Sequence, residues 1–204
     1  MSLYNRILGN PFVYNTIRPL VVGGIDLSSL YGALETTAED VVLDVGCGTG
    51  DALNYLKGFK QYWGFDIDDI AVSYAKNRFG AKHDVVFQTK LLEKKDVDEI
   101  QPTRVVLAGL LHHLADHEVL GLLSTLARSR NLSRLVTQDI VYLPGELVSN
   151  FFARLDRGRY CRSQTEYETL VESAGFAVVC SSIVRSHPTR GRAKYLIMSI
   201  EPIR

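Results

Sequence analysis

A chain of 204 residues, 46% of them hydrophobic, is long enough to fill one core and does not need a second. Its 23 basic and 23 acidic residues cancel, so no overall field draws it to nucleic acid or an anionic membrane, and any such partner needs a local patch. Three cysteines without regular spacing form neither a disulfide framework nor a metal cluster, no apolar run is long enough to span a bilayer, and no basic-then-apolar leader opens the chain; the expectation is a cytoplasmic protein with no metal, no membrane span and no nucleic-acid partner.

Residues 1–38 precede the first strand and carry Tyr4, Arg6, Tyr14 and Arg18 among apolar neighbours, the pattern of an amphipathic cap over a sheet edge. The first strand is expected at 41–45, where the apolar run Val41-Val42-Leu43-Asp44-Val45 ends in Gly46-Cys47-Gly48-Thr49-Gly50. Alternating glycines let the backbone turn sharply and remove the Cβ atoms that would hold a ligand off the peptide groups. With a helix predicted over 50–58, a nucleotide-like ligand belongs at the carboxyl end of this strand, over the amino end of that helix. Cys47 reads as a small side chain tolerated in the turn rather than a nucleophile.

A second strand at 61–65 ends at Asp66, about twenty residues after the first glycine, where a carboxylate can take both hydroxyls of a ribose. Asp68 is placed to cap a helix over 69–79, and Gly80 to end it in a left-handed conformation. The third strand, 84–88, runs into Gln88-Thr89-Lys90. The fourth, 104–108, runs into Gly109-Leu110-Leu111-His112-His113 and brings a histidine pair to the ligand-binding edge. His112 and His113 are the general-base candidates, with a structural or cofactor-positioning role as the alternative. Adjacent residues point different ways and no third ligand has suitable spacing, so the pair is not read as a metal site.

A helix over 116–130 starting at Asp116, a strand at 134–139, and a helix over 164–174 capped by Ser163 and ended by Gly175 follow. Strands at 176–184 and 194–200 have only a short link between them, which makes them an antiparallel hairpin. Outside this alternation lies 141–162, with Arg154, Arg157, Arg159 and Arg162; the hairpin carries Arg185, Arg190, Arg192 and Lys194. Both segments leave strand ends on the ligand's edge. If they converge, the pocket mouth is basic and takes an acidic or phosphate-bearing small molecule through Arg157, Arg159 and Arg190; otherwise they are solvated loops.

Val41 to Gly50 closely resembles the first motif of class I S-adenosylmethionine-dependent methyltransferases, an acid before a Gly-x-Gly-x-Gly turn. Ile67 to Ala75 is similar to that family's second motif and its helix, Val105 to Leu114 to its fourth strand and following loop, and Thr165 to Phe176 to its last helix entering the sixth strand. The resemblance covers roughly residues 38–201. It implies an α/β, Rossmann-like doubly wound sheet of seven strands in the order 3-2-1-4-5-7-6, mostly parallel with an antiparallel carboxyl-terminal hairpin. A single domain over 1–204 is expected, with 1–38 as cap and 141–162 as substrate-side insert.

The implied cofactor is S-adenosylmethionine. Gly46, Gly48 and Gly50 would approach its methionine part, Asp44 would orient the turn or accept from the ammonium, and Tyr14 or Arg18 would bind the carboxylate. Asp66 would hold the ribose and Ile67 would pack on the adenine, with Gln88, Thr89 and Gly109 completing the site. Many family members have an acid after the third strand; here the amide oxygen of Gln88 offers a neutral acceptor instead. Ala108-Gly109-Leu110-Leu111 replaces the Asn/Asp-Pro-Pro-Tyr segment of the enzymes that methylate adenine or glutamine nitrogen. The implied activity is methyl transfer to a small-molecule acceptor, anionic if the basic loops meet. The alternatives are an inactive S-adenosylmethionine-binding protein and a nucleotide-dependent oxidoreductase on a similar fold; oligomeric state stays open.

Overall fold

Strands and helices alternate in the computed structural model, which describes residues 27–155, 158–186 and 193–204. Helix α1 (Ser28–Leu34) leads into β1 (Val41–Val45), β2 (Gln61–Asp66), α2 (Asp69–Phe79), β3 (Val85–Thr89), α3 (Lys94–Ile100) and β4 (Arg104–Ala108). Then come α4 (Asp116–Leu126), β5 (Arg134–Tyr142), α5 (Leu147–Leu155), β6 (Arg162–Ser163), α6 (Gln164–Ser173), β7 (Phe176–Arg185) and β8 (Lys194–Pro202). The sheet order is β3-β2-β1-β4-β5-β8-β7. Neighbours are parallel as far as β5, and β8 is antiparallel to both β5 and β7. This is the expected order and hairpin. The two-residue β6 is an addition, paired with the end of β5 through Val141 and Tyr142.

Central strands bury side chains on both faces, which is why they read as near-continuous apolar runs. On one face α3, α4 and α6 cover Leu43, Phe65, Val105, Leu135 and Met198. On the other, α1 and α2 pack with Val42, Tyr62, Val106, Val136 and Ile197, while α5 closes a smaller cluster of Ile140, Ala153, Ala193 and Tyr195. Full burial of each Val, Leu or Phe stabilises the fold by about 1.5–3 kcal/mol before entropy is counted.

Local differences from the sequence expectations have local causes. The helix expected over 50–58 shrinks to a 3-10 turn, Asp51–Asn54, because Gly58 lies against the backbone of Thr37 and Ala38 and the chain must already pair Gln61 with Val41. The one expected over 116–130 stops at Leu126, where the Ser129 hydroxyl donates to the Pro102 carbonyl and turns the chain toward β5. Its N-cap is Ala115, whose N–H is taken by the Glu118 carboxylate at 2.7 Å, so Asp116 is not the cap. Asp68 does cap α2, accepting from the N–H groups of Ile70 and Ala71, and Ser163 caps α6. Gly80 has a right-handed φ of −69°, not a left-handed one. A Cβ there would stand 2.5 Å from the Lys76 carbonyl oxygen, so space and not conformation calls for glycine. At Gly175 φ is +85°. Among the described residues no helix is long and apolar enough to cross a membrane.

Candidate functional site at the carboxyl edge of the sheet

Both Gly46 and Cys47 donate their N–H groups to the Phe65 carbonyl, at 2.7 and 3.1 Å, which turns the chain sharply away from β1. Gly46, Gly48 and Gly50 all have positive φ, at 79°, 50° and 75°. Their surroundings differ. A Cβ on Gly50 would lie 3.0 Å from Phe87 and 3.3 Å from Ala75, inside the core; on Gly46 it would make ordinary contact with Leu110; on Gly48 it would meet nothing within 4 Å among the described residues. Among the described residues Gly48 is thus the glycine of this turn whose backbone nothing covers. Its N–H donates to Asp66 Oδ2 at 2.8 Å, and Asp66 Oδ1 accepts from Asp68 N–H at 2.9 Å. Asp66 ties the turn to the start of α2, and each carboxylate oxygen keeps a further lone pair.

Gly64 was not singled out in the sequence. A Cβ there would be 2.8 Å from Phe87 and 2.9 Å from Cys47 Sγ, so its absence lets Cys47 sink into the core. Burial, with the Asp44 carboxylate next, pushes the Cys47 thiol up and keeps it inert.

Asp44 is only 2% exposed. Its Oδ2 accepts from the Tyr62 hydroxyl at 2.6 Å, whereas Oδ1 is buried with no partner among the described residues. Burial pushes this carboxyl up to about 7 against the opposing pull of the Tyr62 hydrogen bond, and Asp66 and Asp51 add to the rise. A buried carboxylate with an unmet acceptor is stabilised by a cationic or N–H donor.

At the neighbouring edge Ile67 is 69% exposed. Leu91, which the sequence reading passed over, is 71% exposed just after β3, the strand that pairs with β2 through Asp66 and Thr89. The two apolar side chains therefore flank the same edge, with Thr89 exposed beside them. Gln88 is placed differently: it lines a cavity of about 390 Å³ between β2 and α3 with Trp63, Phe65, Asp96 and Ile100, and Lys90 pairs with Asp96 at 2.6 Å at the same cavity.

Beyond β4, Gly109 has φ 68° and donates its N–H to the Gln138 carbonyl at 2.6 Å. The following turn separates the two histidines. His113 is exposed, while His112 is fully buried, its ring 4.1 Å from that of His113. His112 Nδ1 lies 2.7 Å from Asp139 Oδ1, and the same oxygen accepts the His112 backbone N–H at 3.0 Å. Burial raises the Asp139 carboxyl, and its contacts with His112 oppose the rise. Gly158 presses on the other side, where a Cβ would fall 2.1 Å from the imidazole, and the Tyr160 N–H donates to the His112 carbonyl.

Arg162 closes this arrangement at 6% exposure. Its guanidinium donates to the carbonyls of Leu111, Leu114 and Tyr160 and pairs with Asp116 at 2.6 Å. Neither Asp139 nor the role of Arg162 was found from the sequence. The available signal was an acid, Asp139, in a strand whose apolar pairs Leu135-Val136 and Ile140-Val141 stand on either side of it.

The insert and the hairpin do meet at their bases. Lys194 pairs with Glu146, and its N–H donates to Ser149 Oγ at 3.1 Å. Lys194, and Arg185 after it, hold the Glu146 carboxyl below its usual range. Two of the expected cations, Arg162 and Lys194, are therefore internally paired, whereas Arg154, Arg159 and Arg185 are exposed. Tyr14, Arg18, Arg157 and Arg190 lie outside the described residues.

Comparison with known proteins agrees with this geometry. Residues 42–131 match a family model described as a methyltransferase domain. An 80-residue stretch, 38% of the chain, is 34% identical to the ribosomal protein L11 methyltransferase of Staphylococcus aureus and spans 26% of that protein. Among solved structures, the complex between the Haloferax volcanii Trm112 methyltransferase activator and a methyltransferase matches with a TM-score of 0.71 and 16% identity, over 100% of this chain and 99% of that one. Human N-acetylserotonin methyltransferase in complex with S-adenosylmethionine matches with a TM-score of 0.67 and 18% identity, over 100% of this chain and 59% of that one. At these identities the structural matches establish the fold.

Proposed function

We propose that the protein, whose residues 42–131 match a methyltransferase-domain family model, binds S-adenosylmethionine at the β1–β2 edge and transfers its methyl group to a small acceptor. Among the described residues, the observation that carries this reading is the uncovered backbone at Gly48 between two carboxylates, one of which, Asp44, has a buried oxygen without a partner. Asp44 Oδ1 suits the cofactor's ammonium, and the remaining lone pairs of Asp66 suit the ribose hydroxyls. Ile67 and Leu91 offer apolar contact to the adenine. Gln88 faces its own cavity, so the base rests on those contacts and on backbone groups near Thr89 and Gly109.

When bound, the cofactor supplies a methyl group activated by the positive sulfur. The chain's share is alignment: holding an acceptor in line with that methyl carbon contributes more than any covalent help. His112 is held rigidly between Asp139 and Gly158 and serves to position the loop after β4. Exposed His113 is the remaining general-base candidate.

Calorimetry with S-adenosylmethionine and S-adenosylhomocysteine tests the donor site. Gly48→Val and Asp66→Ala are each expected to weaken binding by roughly tenfold or more; unchanged affinity in both overturns the assignment. Products formed from methyl-labelled cofactor then separate an enzyme from an inactive binder and from an oxidoreductase. If the acceptor is anionic, exposed Arg159 is the described member of the three arginines expected to meet it, Arg157, Arg159 and Arg190. Arg159→Ala is then expected to raise KM for that acceptor several-fold with kcat unchanged, which steady-state kinetics with an identified acceptor would read.

A further inference from the structure

The face of the sheet that α1, α2 and α5 cover carries two clusters of buried apolar residues, with half-buried Val184 packed against both. Val106, Val136 and Ile197 belong to one, Ile140 and Tyr195 to the other. On β5 the residue of that face between Val136 and Ile140 is Gln138, beside Ala108 of β4. On β1 the same face ends at Asp44, opposite Val106. Gln138 is 3% exposed, yet its Oε1 has no hydrogen-bond partner among the described residues, and Asp44 Oδ1 shares that condition. Protein interiors leave few acceptors unmet, and each is a standing cost until a donor arrives.

Asp44 and Gln138 are two strands and two residues apart, about 12 Å between Cα atoms at roughly 4.8 Å per strand and 3.3 Å per residue. Only the small Ala108 stands between them in the outermost row. If one end receives the cofactor's ammonium, the other lies where an acceptor would have to be, since reacting atoms must come within about 3–3.5 Å.

We infer that Gln138 determines acceptor specificity by receiving a hydrogen bond from a neutral hydroxyl or amino group of the acceptor at Oε1. The inference rests on the cofactor reading above. A carboxylate or phosphate offers only acceptors to this oxygen and would also face Asp44; an ammonium would compete for Asp44 itself. An amide is not a base, so Gln138 orients the group and leaves its proton to be lost elsewhere.

Gln138→Met keeps the length of the side chain and removes its polar atoms. The expected result has three parts: a thermal midpoint unchanged or a few degrees higher, affinity for S-adenosylhomocysteine within about twofold of the wild type, and incorporation of labelled methyl groups into a metabolite extract lowered by roughly 100-fold or more. A clear fall in the midpoint would show that the amide serves the fold. Undiminished incorporation would show that it holds water only. A wild type that binds S-adenosylhomocysteine but labels nothing would also overturn the acceptor site. Failure of the wild type to bind S-adenosylhomocysteine would strike the cofactor reading instead.

Discussion

Binding of S-adenosylhomocysteine is expected to weaken by roughly fivefold between pH 7 and pH 6, and by about tenfold per unit below that, with close to one proton released per molecule bound at pH 6. The cause is Asp44, whose carboxyl burial pushes up to about 7 while Oδ1 has no partner among the described residues. Among these residues the groups acting on it are Tyr62 and Asp66 of β2, Asp51 of the turn, Tyr31 of α1 and Cys47, none of them cationic. In the free protein Asp44 is therefore half protonated near neutrality, and a cationic amine at Oδ1 must displace that proton. Because the folded value exceeds the unfolded one, fold stability from this group runs the other way. It is fully present below about pH 4 and is lost as pH rises through 7.

Asp44→Asn separates the two effects. The variant is expected to bind S-adenosylhomocysteine with a pH-independent affinity at least about 30-fold weaker than the wild type at pH 8, since one partner of a buried charge pair is gone. Its thermal midpoint at pH 8 should be higher, because the uncompensated buried charge is gone as well. Calorimetry in buffers of different ionisation enthalpy counts the protons. A flat affinity and no proton release in the wild type would remove Asp44 from the ammonium site.

Arg162→Met is expected to lower the thermal midpoint by about 6–20 °C, from a loss of about 3–5 kcal/mol. Asp116 is well exposed, so solvent screens the ion pair and little of the loss comes from it. Most comes from the carbonyls of Leu111, Leu114 and Tyr160, which the guanidinium serves together. Arg162→Lys should recover little of this, because an ammonium lacks the planar fork that reaches them at once. S-adenosylhomocysteine affinity should change by less than about threefold, since Arg162 bonds to nothing on the β1–β2 edge. A melting curve unchanged from the wild type would mean that those carbonyls find other donors.

What could be read in the chain is what neighbouring residues decide among themselves. The turn after Val45, the Asp66 at the end of the next strand, the Asp68 and Ser163 caps and the closing hairpin all depend on short spacings, and they stand where expected. Helix α3 was missed because Val97 is its only fully buried apolar residue, with Ile100 packed beside it, too thin a stripe among charges. Arg162 was grouped with the arginines of a basic pocket mouth or a solvated loop, although Leu111, Leu114 and Asp116 among its partners lie about fifty residues away, in a loop whose carbonyls turn inward only after folding. For the same reason Asp139 and His112, 27 residues apart, could not be recognised as a pair. Gln88 resembled a cofactor ligand by position alone, and it is the nearby α3 that supplies the cavity it faces.

Strand β7 forms one border of the sheet and is ten residues long, with Val179 and Ile183 exposed along it. A straight border of that length and character would offer unpaired backbone groups to any strand from another molecule. The register against β8 slips between Val178 and Cys180, so the border is broken into two shorter runs with different twist. The same irregularity that interrupts the hairpin ladder thus shortens each run of border on which a strand from another molecule could pair.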